Sequence, residues 1–285
     1  MPAPPLDARR QGFEAQMGAL PLPDGFTYER VQLSKGVSGL LCGFEHLDTD
    51  RIVLWLHGGA FVLGSSNSYR AFAARVAAAA KAKVLLVDYR LAPEHGFPCA
   101  LDDAIAACTW ADKHCDMTKA AIGGDSAGAN LALGTLQHRV AKGQNMPAAQ
   151  WLVSPYLDLT HSGSSIVPRA ALDPFVDAAT MDPTAATYLG DADPSDPRAS
   201  PLFGTAKGLP PTLIQVGSEE VLFDDSVRLR DRIVAAGGEA VFQEWVGMIH
   251  VWPLFAHAID EGEWAISQGG SFIQKCSSPG GVSPG

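Results

Sequence analysis

The chain has 285 residues, 47% hydrophobic and 18% charged, enough apolar material for one large α/β domain with a small cap. Its 21 basic against 31 acidic residues give a net charge of -10, which argues against the broad basic face that nucleic acid or an anionic membrane surface would need. No uninterrupted apolar run approaches the ~20 residues of a membrane span, and five cysteines without C-x-x-C spacing (Cys42, Cys99, Cys108, Cys115 and Cys276) suit free thiols rather than disulfides or a zinc site.

The N-terminus shows no basic region followed by an apolar core, so no secretory leader is expected and the cytoplasm is the default compartment. Residues 1–40 contain an amphipathic stretch with Leu6, Phe13, Met17 and Leu20, read as a helical cap segment rather than a strand. Buried strands are then expected at Ile52–Leu56, Val84–Val87, Lys119–Gly123 and Trp151–Val153, with helical spacing between them at Tyr69–Ala80, Cys99–His114 and Asn130–Ala141. Residues 155–210 are rich in Pro, Asp and Ala and hold no convincing strand. Within them Asp182-Pro183 reads as the N-cap and first-turn proline of a short helix that Gly190 stops. A strand at Thr212–Val216, a helix at Ser226–Ala236 stopped by Gly237-Gly238, and a strand at Val241–Trp245 complete the alternation. His257 falls in a following helical pattern.

Strands alternating with helices imply an α/β fold, a mainly parallel sheet covered on both faces, with the site beyond the carboxyl ends of its strands. A connection of ~55 residues is too long for a plain loop. The expected division is therefore an N-terminal cap segment (1–40), a catalytic domain (41–160 and 206–275), a cap insertion (161–205) and a flexible Ser/Pro/Gly-rich tail (276–285).

Gly124-Asp125-Ser126-Ala127-Gly128 lies between an expected strand and an expected helix, the context in which a G-x-S-x-G turn presents its serine as a nucleophile. Glycines on either side let neighbouring backbone pass close by, and the following helix N-terminus favours developing negative charge. His57-Gly58-Gly59-Ala60 follows another strand. Successive residues without side chains let backbone amides approach an oxyanion, with the N–H groups of Gly58, Gly59 and Ala127 as the expected donors. Phe61, Val62 and Tyr188 are candidate apolar pocket walls. Asp125 and Asn130 read as supporting residues, and Arg90 and Glu94 as ion-pairing residues that brace the oxyanion loop.

His57-Gly58-Gly59-Ala60, Asp88-Tyr89-Arg90-Leu91-Ala92-Pro93-Glu94 and Gly124-Asp125-Ser126-Ala127-Gly128, in that order, resemble the bacterial hormone-sensitive-lipase family of α/β-hydrolases. The resemblance runs from about Arg51 to about Ala265, and Ser154-Pro155-Tyr156-Leu157-Asp158 is similar to a further family segment. Ala60 departs from it, standing where the family more often has a third glycine. The resemblance implies an α/β-hydrolase fold with a helical cap and the chain order serine, acid, histidine. Met248-Ile249-His250-Val251-Trp252 looks like the family's histidine loop, making His250 the base. The family commonly has Asp-Pro-Leu after the preceding strand, with an aspartate two residues beyond the leucine. Matching Leu222 and Asp224 to that pattern makes Glu220 the acid, with Asp224 the alternative.

The implied activity is that of a serine carboxylesterase acting on small esters with short acyl chains, through an acyl-enzyme and without metal or organic cofactor. An amide or formamide hydrolase using the same triad is the nearest alternative, and a non-catalytic small-ligand receptor a more distant one. A small-molecule ester is the expected partner; a homodimer is left open.

Overall fold

A computed structural model describes residues 4–47 and 49–278. Helix α1 (Leu6–Gly18) buries Met17 and packs Phe13 against the core. A hairpin of β1 (Phe26–Ser34) and β2 (Val37–Phe44) follows, closed by a two-residue turn. This corrects the cap segment drawn to residue 40: residues 26–40 belong to the sheet. Strand β1 escapes detection because it is an edge strand with only Leu33 buried, so its sequence lacks a strong apolar alternation.

The alternating part runs β3 (Ile52–Leu56), α2 (Arg70–Ala80), β4 (Lys83–Asp88), α3 (Cys99–His114), β5 (Ala121–Asp125), α4 (Ala127–Lys142) and β6 (Ala149–Val153). Two short helices, α5 (Ile166–Arg169) and α6 (Ala178–Leu189), lie in the long connection. Then come β7 (Thr212–Gly217), α7 (Phe223–Ala235), β8 (Ala240–Trp245) and α8 (Asp260–Cys276). The eight strands order as β1-β2-β4-β3-β5-β6-β7-β8. The first two strands pair antiparallel and β2 pairs antiparallel with β4, whereas every pairing from β4 through β8 is parallel.

Side chains alternate through the sheet into two cores. Leu54, Leu56, Leu85, Ile122, Leu152 and Ile214 face one side with residues of α3, α4 and α7. Val53, Trp55, Val84, Leu86, Trp151 and Leu213 face the other with residues of α2 and α8. Strands buried on both faces read as continuous apolar runs, which is why these five central strands are legible in the sequence.

Three local expectations change. The helix stopped by Gly190 begins at Ala178 and is capped by Asp177, whose carboxylate accepts from the Ala179 amide at 3.0 Å. Pro183 lies inside it, removing one ladder hydrogen bond that the packed helix tolerates. His257 is exposed in a turn between a 3-10 helix and α8. Cys276 closes α8 rather than opening a tail, and residues 279–285 of that tail lie outside the described residues. No helix among the described residues is long and apolar enough to cross a membrane.

Candidate active site

Strand β5 runs through Asp125 and helix α4 starts at Ala127, so Ser126 alone makes the turn. Its backbone is held at φ 52° and ψ −120°, a conformation L-residues adopt only under external constraint. The constraint is visible. The Ser126 amide donates to Val153 O at 3.0 Å and its carbonyl accepts from Tyr156 N at 3.2 Å. A Cβ on Gly128 would sit 1.9 Å from Leu56 O, so only glycine lets α4 start against the end of β3.

Three side chains from loops after β5, β7 and β8 converge. His250 Nδ1 lies 2.9 Å from Glu220 Oε2, and His250 Nε2 lies 3.0 Å from Ser126 Oγ. An ionised carboxylate only accepts, so Nδ1 carries the proton and Nε2 is left to accept from the Ser126 hydroxyl. Glu220 is fully buried, and its other oxygen accepts from Ser154 Oγ at 2.7 Å and Gly217 N at 2.6 Å. Burial alone would lower the His250 pKa. The hydrogen bond and charge of Glu220 outweigh it, and the net direction is upward.

Asp224 points elsewhere. In the first turn of α7, its carboxylate accepts from Ser164 Oγ and the Ser165 amide. The helix start turns it away from His250 and toward the long connection.

The oxyanion expectation needs one correction. The Gly58 amide is already engaged, donating to Asp125 Oδ2 at 3.1 Å and to the Tyr69 hydroxyl at 3.0 Å. Asp125 ends β5 beneath this loop, fully buried, and also accepts from Trp55 Nε1 and Tyr69. Burial pushes its carboxyl up to about 6, while the hydrogen bonds from Tyr69 and Trp55 pull the other way. The amides of Gly59, Ala60 and Ala127 have no partner among the described residues, and Gly59 and Ala60 line the cavity beside Ser126. Gly59 has φ 114° and a Cβ there would meet Leu63 O at 2.2 Å. Ala60, at φ 52°, keeps the turn without being glycine.

That cavity has a volume of about 290 Å³. Phe13 of α1, Leu63, Tyr156, Met181 of α6, Leu222 and Leu254 supply its apolar wall around Ser126 and His250. Phe61, Val62 and Tyr188 do not line it, contrary to expectation. The rings of Phe61 and Tyr188 stack at 3.8 Å, and all three residues are packed into the core behind the wall. At φ 63°, Phe61 turns its side chain inward. Among the described residues no group of three His, Cys, Asp or Glu side chains is arranged to hold a metal ion.

A family described as alpha/beta hydrolase fold matches residues 53–254. An acetyl-hydrolase of Streptomyces hygroscopicus is 41% identical over 231 residues, 81% of this chain and 77% of that protein. An esterase of Acinetobacter venetianus is 38% identical over 76% of this chain and 72% of its own length. A crystal structure of an esterase from the bacterial hormone-sensitive lipase family superposes with a TM-score of 0.93 at 38% identity, covering 98% of this chain and 94% of that one.

The chain belongs to the α/β-hydrolase family, in its bacterial hormone-sensitive-lipase branch.

Several further residues support this α/β-hydrolase site, of which Tyr69 and His161 belong to no motif in the sequence. Ser154 donates to Glu220 through Oγ and accepts from the Val251 amide at 2.9 Å, tying the loop of Glu220 to that of His250. In the sequence it stands just past a buried strand, at the head of the Ser154–Asp158 segment, with nothing to show that it meets Glu220. Tyr69 shares Asp125 with Gly58, and Tyr89 stacks on His57 at 4.2 Å while donating to His57 O at 2.7 Å. His57 is buried, and desolvation lowers its pKa despite the Gly58 carbonyl nearby. Asn130 clamps Tyr156 O and Ala199 O, and Arg90 pairs with Asp103. Tyr156, on the cavity wall, bonds His161 Nε2 at 2.6 Å, and His161 Nδ1 meets Asp182 of α6.

Proposed function

We propose that this protein is a serine carboxylesterase that hydrolyses small, short-acyl esters through an acyl-enzyme. The observation that carries the proposal is the continuous Glu220–His250–Ser126 hydrogen-bonded chain opening into an apolar cavity of about 290 Å³. His250 Nε2 takes the Ser126 proton as Oγ attacks the ester carbonyl carbon, and Glu220 stabilises the resulting imidazolium. The carbonyl π electrons move onto oxygen. The amides of Gly59, Ala60 and Ala127 receive that oxyanion, with Ala60 taking the place first expected for Gly58. Collapse expels the alcohol, which takes the proton back from His250. Water, deprotonated by the same histidine, then attacks the acyl carbonyl and frees Ser126.

Helix α1 and the 161–205 segment with α6 act as the cap. They contribute Phe13, Thr180, Met181 and Thr184 to the cavity, leaving it at the small end of ligand sites. This volume supports short acyl chains over long ones. The acetyl-hydrolase name of the Streptomyces hygroscopicus relative supports the same reading. A p-nitrophenyl ester series from acetate to decanoate tests the reading, run beside a matched anilide and a phosphonate label. Stoichiometric labelling of Ser126 with rates peaking at short acyl chains is expected. No labelling, or faster turnover of the anilide than of the ester, overturns it.

A further inference from the structure

We propose that Arg10 of α1 is a positioning residue for the oxyanion amides, coupling the seating of the N-terminal helix to the geometry of residues 59–62. The inference rests on the reading above, in which Gly59 and Ala60 supply those amides. This loop is under tension: Ala60 and Phe61 are consecutive non-glycine residues in the left-handed region, at φ 52° and 63°. Such a conformation persists only where its surroundings over-determine it. One guanidinium supplies much of that determination. Arg10 Nε donates to Val62 O at 2.7 Å and Nη2 donates to Ala92 O at 2.8 Å. The Ala92 amide in turn donates to Phe61 O at 2.9 Å, so Arg10 grips the strained loop directly and through its neighbour.

Glu94 accepts from Nη1 at 2.7 Å and from Nη2 at 2.8 Å, fixing the guanidinium plane from the far side. The Arg10 hydrogen bond holds the Glu94 carboxyl at about 2, so the fork stays ionised through neutral pH. One turn further along α1, Glu14 accepts from Ser65 Oγ at 2.8 Å and Asn67 Nδ2 at 3.1 Å, gripping the other end of the same loop. Between these two contacts Phe13 reaches the cavity wall.

One helix therefore roofs the substrate and anchors the amides that receive the oxyanion. Lifting α1 removes the donor from two carbonyls, which frees the left-handed pair to relax and moves the Gly59 and Ala60 amides out of register. Lysine cannot replace this arginine, because a single ammonium does not present three nitrogens in one plane to two carbonyls and a carboxylate.

The test compares Arg10→Met, Arg10→Lys and Glu94→Gln with the unmodified protein. It measures kcat and KM on p-nitrophenyl acetate and the Ki of a trifluoromethyl ketone, which forms a tetrahedral adduct on Ser126. Loss of hydrogen-bond geometry at an oxyanion site costs about 10- to 100-fold in rate. We expect Arg10→Met to lose that much in kcat and the same factor in Ki, with KM within about threefold. Arg10→Lys should recover little, and Glu94→Gln, which leaves both carbonyls to Arg10, should fall between. Across the set, log Ki should rise one-for-one as log kcat falls. A kcat within twofold of the unmodified protein, or a fall in kcat with Ki unchanged, overturns the proposal. Should Arg10→Met not fold, the Glu94→Gln and Arg10→Lys pair carries the same comparison. If the unmodified protein forms no ketone adduct, the esterase reading fails instead.

Discussion

Burial strips water from His250 and disfavours its cation, yet Glu220 at 2.9 Å restores more than burial removes. In the proposed mechanism the neutral imidazole is the working base, so a raised pKa keeps the inactive cation to higher pH. The expected kcat/KM profile rises with pH through an apparent pKa above the ordinary ~6.5 of histidine. Glu220→Gln should move that limb downward, and a limb centred below 6 in the unmodified protein would contradict the assignment. The same chain ranks the substitutions. Ser126→Ala should cost about 10⁴-fold or more in kcat while leaving circular dichroism unchanged, because only the attacking oxygen is lost. Glu220→Ala should cost about 10³- to 10⁴-fold, whereas Asp224→Ala, whose partners are Ser164 and Ser165, should stay within about threefold. The serine and histidine are legible because each sits in a short motif with its own chemical logic. The glutamate is legible only by alignment to a pattern it departs from, and its burial and Ser154 contact come from distant segments.

The strand–turn–helix elbow is set by backbone clearance. Helix α4 begins close enough to β3 that a Cβ at Gly128 would meet Leu56 O at 1.9 Å, and the adjacent carbonyl of His57 at 2.6 Å. Neither atom can yield without moving a central strand. Gly128→Ala should therefore destabilise the protein by about 3 kcal/mol or more, measured by urea unfolding. A variant as stable as the parent would show that the elbow can open. The elbow is tighter than its sequence suggests, since β5 extends through Gly124 and Asp125 and leaves one residue to reverse direction. At the sheet's other side, β1 and β2 add an antiparallel hairpin, and the exposed polar side chains of β1 hide that edge strand's character.

Two apolar layers sandwich the sheet, and the second centres on aromatic residues. Trp55 and Trp151 lie 4.9 Å apart edge to face, with Phe72 at 4.9 Å from Trp55. Trp151 is fully buried and also donates Nε1–H to Gln215 Oε1 at 2.9 Å. Trp151→Ala would leave a large cavity and an unpaired amide oxygen beneath α8. The expected loss is about 3–5 kcal/mol, read as a lower urea midpoint with an unchanged slope. An unfolding midpoint equal to the parent's would mean that the layer collapses to fill the space.

The order of strands and helices from β3 onward, their parallel pairing, and Ser126 and His250 as the candidate nucleophile and base follow from contiguous residues. Apolar runs, helical spacing and short motifs are local signals, and local sterics enforce them. Tertiary structure alone decided which amides are free. Asp125, 67 residues away, engages the Gly58 amide, and the Gly59 and Ala60 amides keep no partner among the described residues. It also decided that Phe61 and Tyr188 face the core, and that Arg10 reaches Val62 and Ala92 across 52 and 82 residues. Hydrogen-bond capacity and wall positions are competed for by groups that only folding brings together. No stretch of sequence carries the result of that competition.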